Sequence, residues 1–297
     1  MSTFDERLIQ AIQLKNSAAC VGLDPDLALM PKWFTEPYDE DVTSLICDYN
    51  QIVIDSVADL VPIVKPQSAF YERFGVRGIL ALQKTIEYAR KKGLLVLTDV
   101  KRGDIGSTSK AYAEAYLGGA ESCLKSDAMT LIPYLGPDGM EPFVQVAQRE
   151  GGGLFVCAMT SNPGAPVLQQ LIADGKPIYL HVADMVRSFY PGTIGSTGYS
   201  SVGIVSGATF PEEAQKLRMA LPNSFFLVPG MGAQGGSTET LTSFFDKDGL
   251  GAIVSSSRAI MYPGKPNHRE ELSAAIRAET IQFNLAINSA RLVTATA

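Results

Sequence analysis

The chain alternates short apolar runs with longer stretches in which apolar residues recur every three or four positions. The apolar runs are rich in Val, Ile, Leu and Phe, lack polar alternation, and cover residues 18–24, 61–66, 94–101, 128–134, 153–159, 201–207, 225–231 and 251–257. Such continuous runs are typical of strands that are covered on both faces, as in a parallel sheet. The pattern therefore predicts eight buried parallel strands.

Segments with helical periodicity separate several of these strands, at residues 41–60, 77–93, 108–119, 140–152 and 211–221. Eight strands that alternate with helices predict a single-domain (β/α)8 TIM barrel of the α/β class over residues 1–297. A doubly wound sheet is the competing architecture, but no linker to a second domain interrupts the runs. Because such barrels take about 250 residues, we expect the surplus in two extra stretches, near 26–48 and 162–200.

The composition limits the classes of function. With 46% hydrophobic and 19% charged residues and a net charge of −6, the chain is typical of a globular protein whose main partner is not nucleic acid. No apolar run reaches the roughly 18–20 residues of a membrane helix. The charged start also lacks the apolar core of a signal peptide. We therefore expect a cytoplasmic protein that binds neither nucleic acid nor a membrane.

The cysteines and histidines do not form a metal or nucleophile motif. Four cysteines are scattered without a C-x-x-C pair, and the two histidines are His181 and His268. Cys20 and Cys157 lie in apolar runs, which predicts buried, reduced thiols. The sequence therefore argues against a zinc site and against a Ser–His triad.

Charged and polar residues collect where the predicted strands end. In a TIM barrel the active site lies at the carboxyl ends of the strands, in the loops that follow them. Each of these residues also has a purely structural interpretation, as a helix-cap acid, an ion-pair partner or a turn residue. Because they would meet at one end of one barrel, a shared site is favoured for Asp24, Lys65, Asp99, Lys101, Ser161 and Arg258.

The segment "LTDVKRGDIGST" at 97–108 carries the sharpest signal. The two-residue period of a strand places Asp99 and Lys101 on one face, and Val100 on the other face toward the helices. Lys65 is predicted at the same level on the neighbouring strand. An acid between two lysines keeps both protonated, so we expect a Lys–Asp–Lys array that holds a cationic proton donor.

Asp104 has an unexpected position for a site residue. It lies three residues beyond Lys101, where the strand should already have ended. The residues alone leave two outcomes open: the side chain folds back into the same site, or it reaches into a partner subunit.

A glycine-rich segment, "PGMGAQGG" at 229–236, follows the seventh predicted strand. It matches the G-x-G-x-x-G dinucleotide fingerprint, but that fingerprint opens the first βα unit and requires an acid at the end of the next strand. Here the next run ends in serines. Barrels bind phosphate with the loops after strands seven and eight, so we predict that this loop and Arg258 bind a phosphate. The alternative is a surface loop without a ligand.

Six segments together resemble the orotidine 5′-phosphate decarboxylase family, in its longer bacterial (type 2) subfamily: "GLDPD", "VKPQSAFYERFG", "TDVKRGDIGSTSKAYAEAYLG", "MTSNPGA", "PGMGAQGG" and "SSSRAIMYPG". The D-x-K-x-x-D motif alone indicates only the wider superfamily. The other segments narrow the resemblance to this family. The resemblance covers residues 22–263. It implies a homodimer that decarboxylates orotidine 5′-phosphate to UMP, the last step of de novo pyrimidine nucleotide synthesis, without a metal or an organic cofactor.

The resemblance also implies catalytic roles for individual residues. Asp99 would face the substrate carboxylate, and Lys101 would deliver a proton to C6 of the pyrimidine. Lys65 would bridge the ribose and the charged array. Asp104 and Thr108 would be shared across the dimer interface and complete the site of the other subunit.

The remaining roles implied by the resemblance concern substrate binding. Asp24 would bind the ribose hydroxyls, and Ser161 would contact the edge of the pyrimidine. Gln234 would link pyrimidine and phosphate from a closing loop to which Gly235 also belongs. Arg258 would bind the phosphate.

Three other functions stay open. A sugar-phosphate decarboxylase of the same superfamily would use a magnesium ion held partly by a carboxylate, where this chain has Lys65. A catalytically silent UMP- or phosphate-binding protein would have lost a charge, whereas Lys65, Asp99, Lys101 and Asp104 are all present. An isomerase would need a Glu or His base at the mouth of the barrel, and no histidine is predicted there.

Overall fold

The computed structural model describes residues 2–118, 122–231 and 238–296, and its central feature is a closed barrel of eight parallel strands. In order around the barrel these are β1 (Ala19–Leu23), β2 (Ile63–Pro66), β3 (Leu95–Arg102), β4 (Ala128–Leu131), β5 (Gly153–Met159), β8 (Ser200–Ser206), β9 (Ser224–Val228) and β10 (Ala252–Ser256). Two further strands form a separate antiparallel hairpin, β6 (Ile172–Ala173) and β7 (Lys176–Pro177). The eight predicted strands and the TIM-barrel fold are confirmed.

Helices pack against the barrel strands and against one another. They are α1 (Phe4–Lys15), α2 (Lys32–Thr35), α3 (Val42–Val57), α4 (Ala69–Glu72), α5 (Gly75–Lys91), α6 (Gly106–Tyr116), α7 (Pro137–Glu150), α8 (Ala165–Gln169), α9 (Ile178–Ser188), α10 (Tyr190–Thr193), α11 (Pro211–Ala220), α12 (Thr238–Leu241), α13 (Arg258–Met261) and α14 (Arg269–Thr296). The five predicted helices correspond to α3, α5, α6, α7 and α11. Across the described ranges, we find no helix with the length and apolar character needed to span a membrane.

The two stretches predicted as surplus differ in structure. The first holds α2, a short 3₁₀ helix (Glu36–Tyr38) and the start of α3. The second, at 162–200, holds α8, the β6–β7 hairpin, α9 and α10. Because α9 packs against both β5 and β8, it is the barrel helix that connects these strands rather than an addition to the fold.

The inside of the barrel is filled by apolar side chains. Cys20, Ile63 and Phe225 are among the buried residues of this inner cluster, and α1 adds Phe4 and other side chains to it. The Phe4 ring meets the Phe155 ring edge to face, with centroids 5.9 Å apart. Among the described residues this packing leaves no channel through the barrel, and the active sites of TIM barrels lie at the carboxyl ends of the strands.

The cysteine prediction is also confirmed. Cys20 and Cys157 are buried and not paired in a disulfide. Burial raises the pKa of each thiol to about 12, so both are uncharged thiols at neutral pH.

Candidate active site

A cavity of about 520 Å³ opens at the carboxyl ends of the barrel strands. Residues from the ends of β1, β2, β3, β5, β8, β9 and β10 line it. The site residues predicted from the strand ends meet there: Asp24, Lys65, Asp99, Lys101, Ser161 and Arg258. The structure therefore brings together residues that are up to 234 positions apart in the chain.

Lys65, Asp99 and Lys101 form a continuous charged array in this cavity. Lys65 Nζ lies 3.1 Å from Asp99 Oδ2, and Lys101 Nζ lies 2.5 Å from Asp99 Oδ1. The side chains of Lys65 and Asp99 are 7% and 8% exposed, whereas that of Lys101 is 41% exposed. The order Lys65–Asp99–Lys101 is the predicted one, and Lys101 is the more exposed of the two lysine side chains.

The charges within the array determine the protonation states of Asp99 and Lys65. Burial is the largest single effect and disfavours the charged forms of both Asp99 and Lys65, but the neighbouring opposite charges and hydrogen bonds together outweigh it. Lys65 and Lys101 hold the pKa of Asp99 well below its usual range, and Asp99 and Asp24 raise the pKa of Lys65 above its usual range. Asp99 and Lys65 are therefore charged at neutral pH, although both are buried.

Two neutral donors that we did not predict complete the surroundings of Asp99. Gln67 Nε2 donates to Asp99 Oδ2 at 2.9 Å, and Thr130 Oγ1 donates to Asp99 Oδ1 at 2.8 Å. Each carboxylate oxygen thus accepts from one lysine and one uncharged group. Gln67 could have been found, because it follows Lys65 by two residues and so faces the same side of an extended segment.

A second set of contacts fixes the strand that carries the array. Arg102 forms an ion pair with Glu72 and donates to the carbonyl of Val100 at 2.8 Å. The Ser68 N–H donates to the carbonyl of Asp99 at 3.2 Å, and its hydroxyl donates to Glu72 at 2.5 Å. These bonds tie the segment after β2 to the end of β3, so that the two lysine-bearing strands hold one geometry.

Asp24 presents a buried acceptor that no described residue bonds. Its Oδ1 atom is buried and has no hydrogen-bond partner among the described residues. The backbone is held in place, because the Asp24 carbonyl accepts from the Tyr262 hydroxyl at 2.9 Å. An unpaired buried acceptor is costly, so this carboxylate is suited to a ligand that brings a donor into the cavity.

Ser161 lies on the loop after β5, and Arg258 is the first residue of α13 after β10; both line the cavity. The loop with Ser161 packs closely on the end of β8, where a Cβ on Gly207 would lie 2.6 Å from the Ser161 Cα. Only glycine permits this approach. Arg258 is exposed at the start of α13, directly after a run of three serines that also line the cavity. Gln234 and Gly235 lie outside the described residues.

Asp104 and Thr108 do not reach the cavity of their own chain. Asp104 Oδ1 accepts from the backbone N–H of Ile105 at 2.8 Å, and Thr108 is exposed on α6. Neither residue lines the cavity. Apolar side chains are exposed nearby, since Ile105 is 58% and Tyr134 is 81% accessible. The structure therefore does not show the first of the two outcomes expected for Asp104, a return to its own site.

The described residues contain no cluster of three or more His, Cys, Asp or Glu side chains arranged to hold a metal ion. The polar groups around the array are instead ammonium, amide and hydroxyl donors that converge on a single carboxylate.

The sequence of this chain is similar to those of known decarboxylases. Residues 18–274 match the family model described as "Orotidine 5'-phosphate decarboxylase / HUMPS family". A curated protein from Rhodopirellula baltica named orotidine 5′-phosphate decarboxylase is 47% identical over 96% of this chain and 98% of its own length. A second one, from Caldicellulosiruptor bescii, is 42% identical over 89% of this chain and 91% of its own.

Solved structures share the fold over the whole chain. The crystal structure of a putative orotidine-monophosphate-decarboxylase from Toxoplasma gondii superposes with a TM-score of 0.85 at 28% identity, covering 100% of this chain and 99% of that one. The barrel, the charged array at its mouth and the full-length similarity thus lead to one assignment. The chain belongs to the orotidine 5′-phosphate decarboxylase family.

Proposed function

We propose that this chain decarboxylates orotidine 5′-phosphate to UMP, with Lys101 as the group that protonates C6. The observation that carries the proposal is the Lys65–Asp99–Lys101 array, in which one buried carboxylate holds an ammonium group at the open side of the cavity. The curated relatives with this name support the choice of reaction.

The geometry fits the electrostatic demand of the reaction. Loss of CO2 leaves an electron pair at C6 of the pyrimidine, and no ring carbonyl stabilises that charge directly. An ammonium group already held beside C6 stabilises the developing carbanion and then transfers its proton to it. Lys101 suits this role because it is held by Asp99 and remains 41% exposed to the cavity.

Asp99 also raises the energy of the bound substrate relative to the transition state. A substrate carboxylate placed at the array would lie near the Asp99 carboxylate, and the repulsion between them would be relieved as CO2 departs. Asp99 keeps its charge under these conditions because two ammonium groups and two neutral donors surround it.

The rest of the cavity supplies binding contacts. The unpaired Oδ1 of Asp24 accepts from the ribose hydroxyls, and Ser161 contacts the pyrimidine edge. Arg258 pairs with the phosphate. The binding roles expected for Gln234 and Gly235 fall outside the described residues. Because the phosphate is remote from the bond that breaks, its binding energy serves to orient the ring.

The functional unit is a homodimer in the cytoplasm. Asp104 and Thr108 of each subunit enter the site of the other one, which accounts for their position outside their own cavity. Ile105, Tyr134 and Leu135 expose apolar surface close to Asp104, and such surface is suited to burial in a subunit interface.

The first test is the absorbance change of orotidine 5′-phosphate with protein dialysed against EDTA. Conversion to UMP in the absence of added metal supports the reaction and the absence of a metal requirement. No conversion, either with or without added magnesium, contradicts the proposal and favours a silent binding protein, whose affinity for UMP is then measured by calorimetry.

A further inference from the structure

Thr130 lies where the strand that carries the array departs from regular pairing. Thr98 of β3 pairs with Met129 of β4, and the next pair in register is Arg102 with Leu131. Three residues of β3 therefore face a single residue of β4, Thr130. An irregularity of this kind leaves backbone N–H groups without a carbonyl partner in the ladder.

The hydroxyl of Thr130 replaces the missing acceptor and binds three groups at once. Oγ1 accepts from the backbone N–H of Val100 at 3.0 Å and from that of Lys101 at 2.9 Å. It donates its own proton to Asp99 Oδ1 at 2.8 Å. A hydroxyl has one proton and two lone pairs, so these bonds use its full capacity. Thr130 is 0% exposed, and water has no access to compete for them.

These bonds stabilise an unusual backbone at the proton donor. Lys101 has a φ of 45°, in the left-handed region that residues other than glycine rarely adopt. The same residue places its Nζ 2.5 Å from Asp99 Oδ1. One hydroxyl thus contacts both the main chain of Lys101 and the carboxylate that orients its ammonium group.

We infer that Thr130 is a positioning residue of the decarboxylation, which fixes the Lys101 ammonium and the Asp99 carboxylate relative to each other. This inference rests on the proposed function. Thr130 does not line the cavity and acts only through the two residues that it holds. Its loss should therefore affect turnover much more than binding.

The direct test is Thr130→Val, which replaces the hydroxyl by a methyl group of similar size. We expect kcat for orotidine 5′-phosphate to fall about 100-fold, because misplacement of a catalytic group by about 1 Å has an effect of this order. The dissociation constant of UMP should change by less than about threefold, since Asp24 and Arg258 are untouched.

Two further variants separate positioning from a general loss of stability. Thr130→Ser keeps the hydroxyl and should retain kcat within about tenfold of the wild type. Thr85→Val removes another buried hydroxyl, which accepts from Asn50 at 3.0 Å and donates to the Ala81 carbonyl at 2.8 Å on the helix layer. It should leave kcat and the dissociation constant of UMP unchanged.

The outcomes are distinct. Equal kcat in wild type and folded Thr130→Val overturns this inference alone, as does a Thr130→Ser variant that loses as much activity as Thr130→Val. An inactive wild type overturns the proposed function and this inference with it. If Thr130→Val does not fold, Thr130→Ala takes its place, and Thr130→Ser still decides whether the hydroxyl or the packing of the methyl group matters.

Discussion

Lys65 and Asp99 form an ion pair of 3.1 Å in which both side chains are more than nine-tenths buried. The same carboxylate also pairs with Lys101, so one negative charge lies between two positive charges at the barrel mouth and the array keeps a net positive charge. A buried pair of this kind adds little net stability over an apolar pair, but removal of one partner leaves an uncompensated charge. The array therefore places charge in the cavity rather than stabilising the fold, and both lysines rely on Asp99 for their opposite charge.

The first prediction concerns the stability of Asp99→Asn. Two ammonium groups would remain without their shared carboxylate, and loss of one partner of a buried pair lowers the free energy of unfolding by about 3–5 kcal/mol. Asp99 has a lowered pKa in the folded state, so its contribution is complete above the unfolded value of about 4 and is lost as pH falls through the folded value. The gap between wild type and variant should therefore narrow as pH falls below about 4.

Urea unfolding at pH 7, 5, 4 and 3 measures this gap. Asp59→Asn is the matched control, because Asp59 pairs with Arg277 at 2.6 Å but is 60% exposed. Its loss should lower the free energy of unfolding by about 1 kcal/mol or less. A gap for Asp99→Asn that is equally small, or that widens toward low pH, would contradict the proposed electrostatics.

Much of the fold and the centre of the site follow from local patterns in the sequence. Continuous apolar runs mark strands covered on both faces, and the two-residue strand period places Asp99 and Lys101 side by side. The pattern at 162–200 is less distinct, because α9 lies between a short hairpin and Pro- and Gly-containing turns. The stretch that the sequence predicts as surplus therefore contains a barrel helix.

The contacts that were missed depend on tertiary geometry. Thr130 lies in an apolar run and gives no local signal, because its role arises where three residues of β3 face one residue of β4. The position of the Asp104 side chain is also not determined by the local sequence. The sequence leaves open whether it returns to its own site, and only the closed barrel shows that its side chain is outside that cavity.

The second prediction is that Lys101→Ala abolishes turnover while UMP still binds. The ammonium group supplies both charge stabilisation and the proton, and removal of such a group costs about 10³-fold or more in kcat. Lys110→Ala is the control, because Lys110 is 58% exposed on α6 and pairs only loosely with Glu114 at 3.8 Å. Stopped assays for UMP and calorimetry with UMP give the two readouts. Near-normal turnover of Lys101→Ala would exclude this lysine as the proton donor.

The third prediction concerns the shared site of the proposed homodimer. Lys101→Ala and Asp104→Ala should each be nearly inactive alone. A mixed dimer holds one site with both defects and one intact site, and half of randomly paired dimers are mixed, so an equal mixture should regain about one quarter of wild-type activity.

The hybrid is prepared by joint refolding and its activity is compared with the same proteins mixed without refolding. If the refolded mixture is no more active than the separate variants, Asp104 does not complete the site of the partner subunit. Dilution of the wild type gives an independent check, since a site completed by a partner loses activity as the dimer dissociates.

The fourth prediction separates phosphate binding from catalysis. Arg258 is exposed and lines the cavity beside three serines, so its guanidinium group can pair with a phosphate bound there. Loss of a hydrogen bond to a charged group costs about 1.5–3 kcal/mol, so Arg258→Ala should weaken UMP binding by about 10- to 100-fold. Uridine lacks the phosphate, and its affinity should be the same for wild type and variant. Calorimetry with both ligands measures this difference directly. Equal weakening of uridine and UMP would mean that Arg258 shapes the cavity rather than pairs with the phosphate.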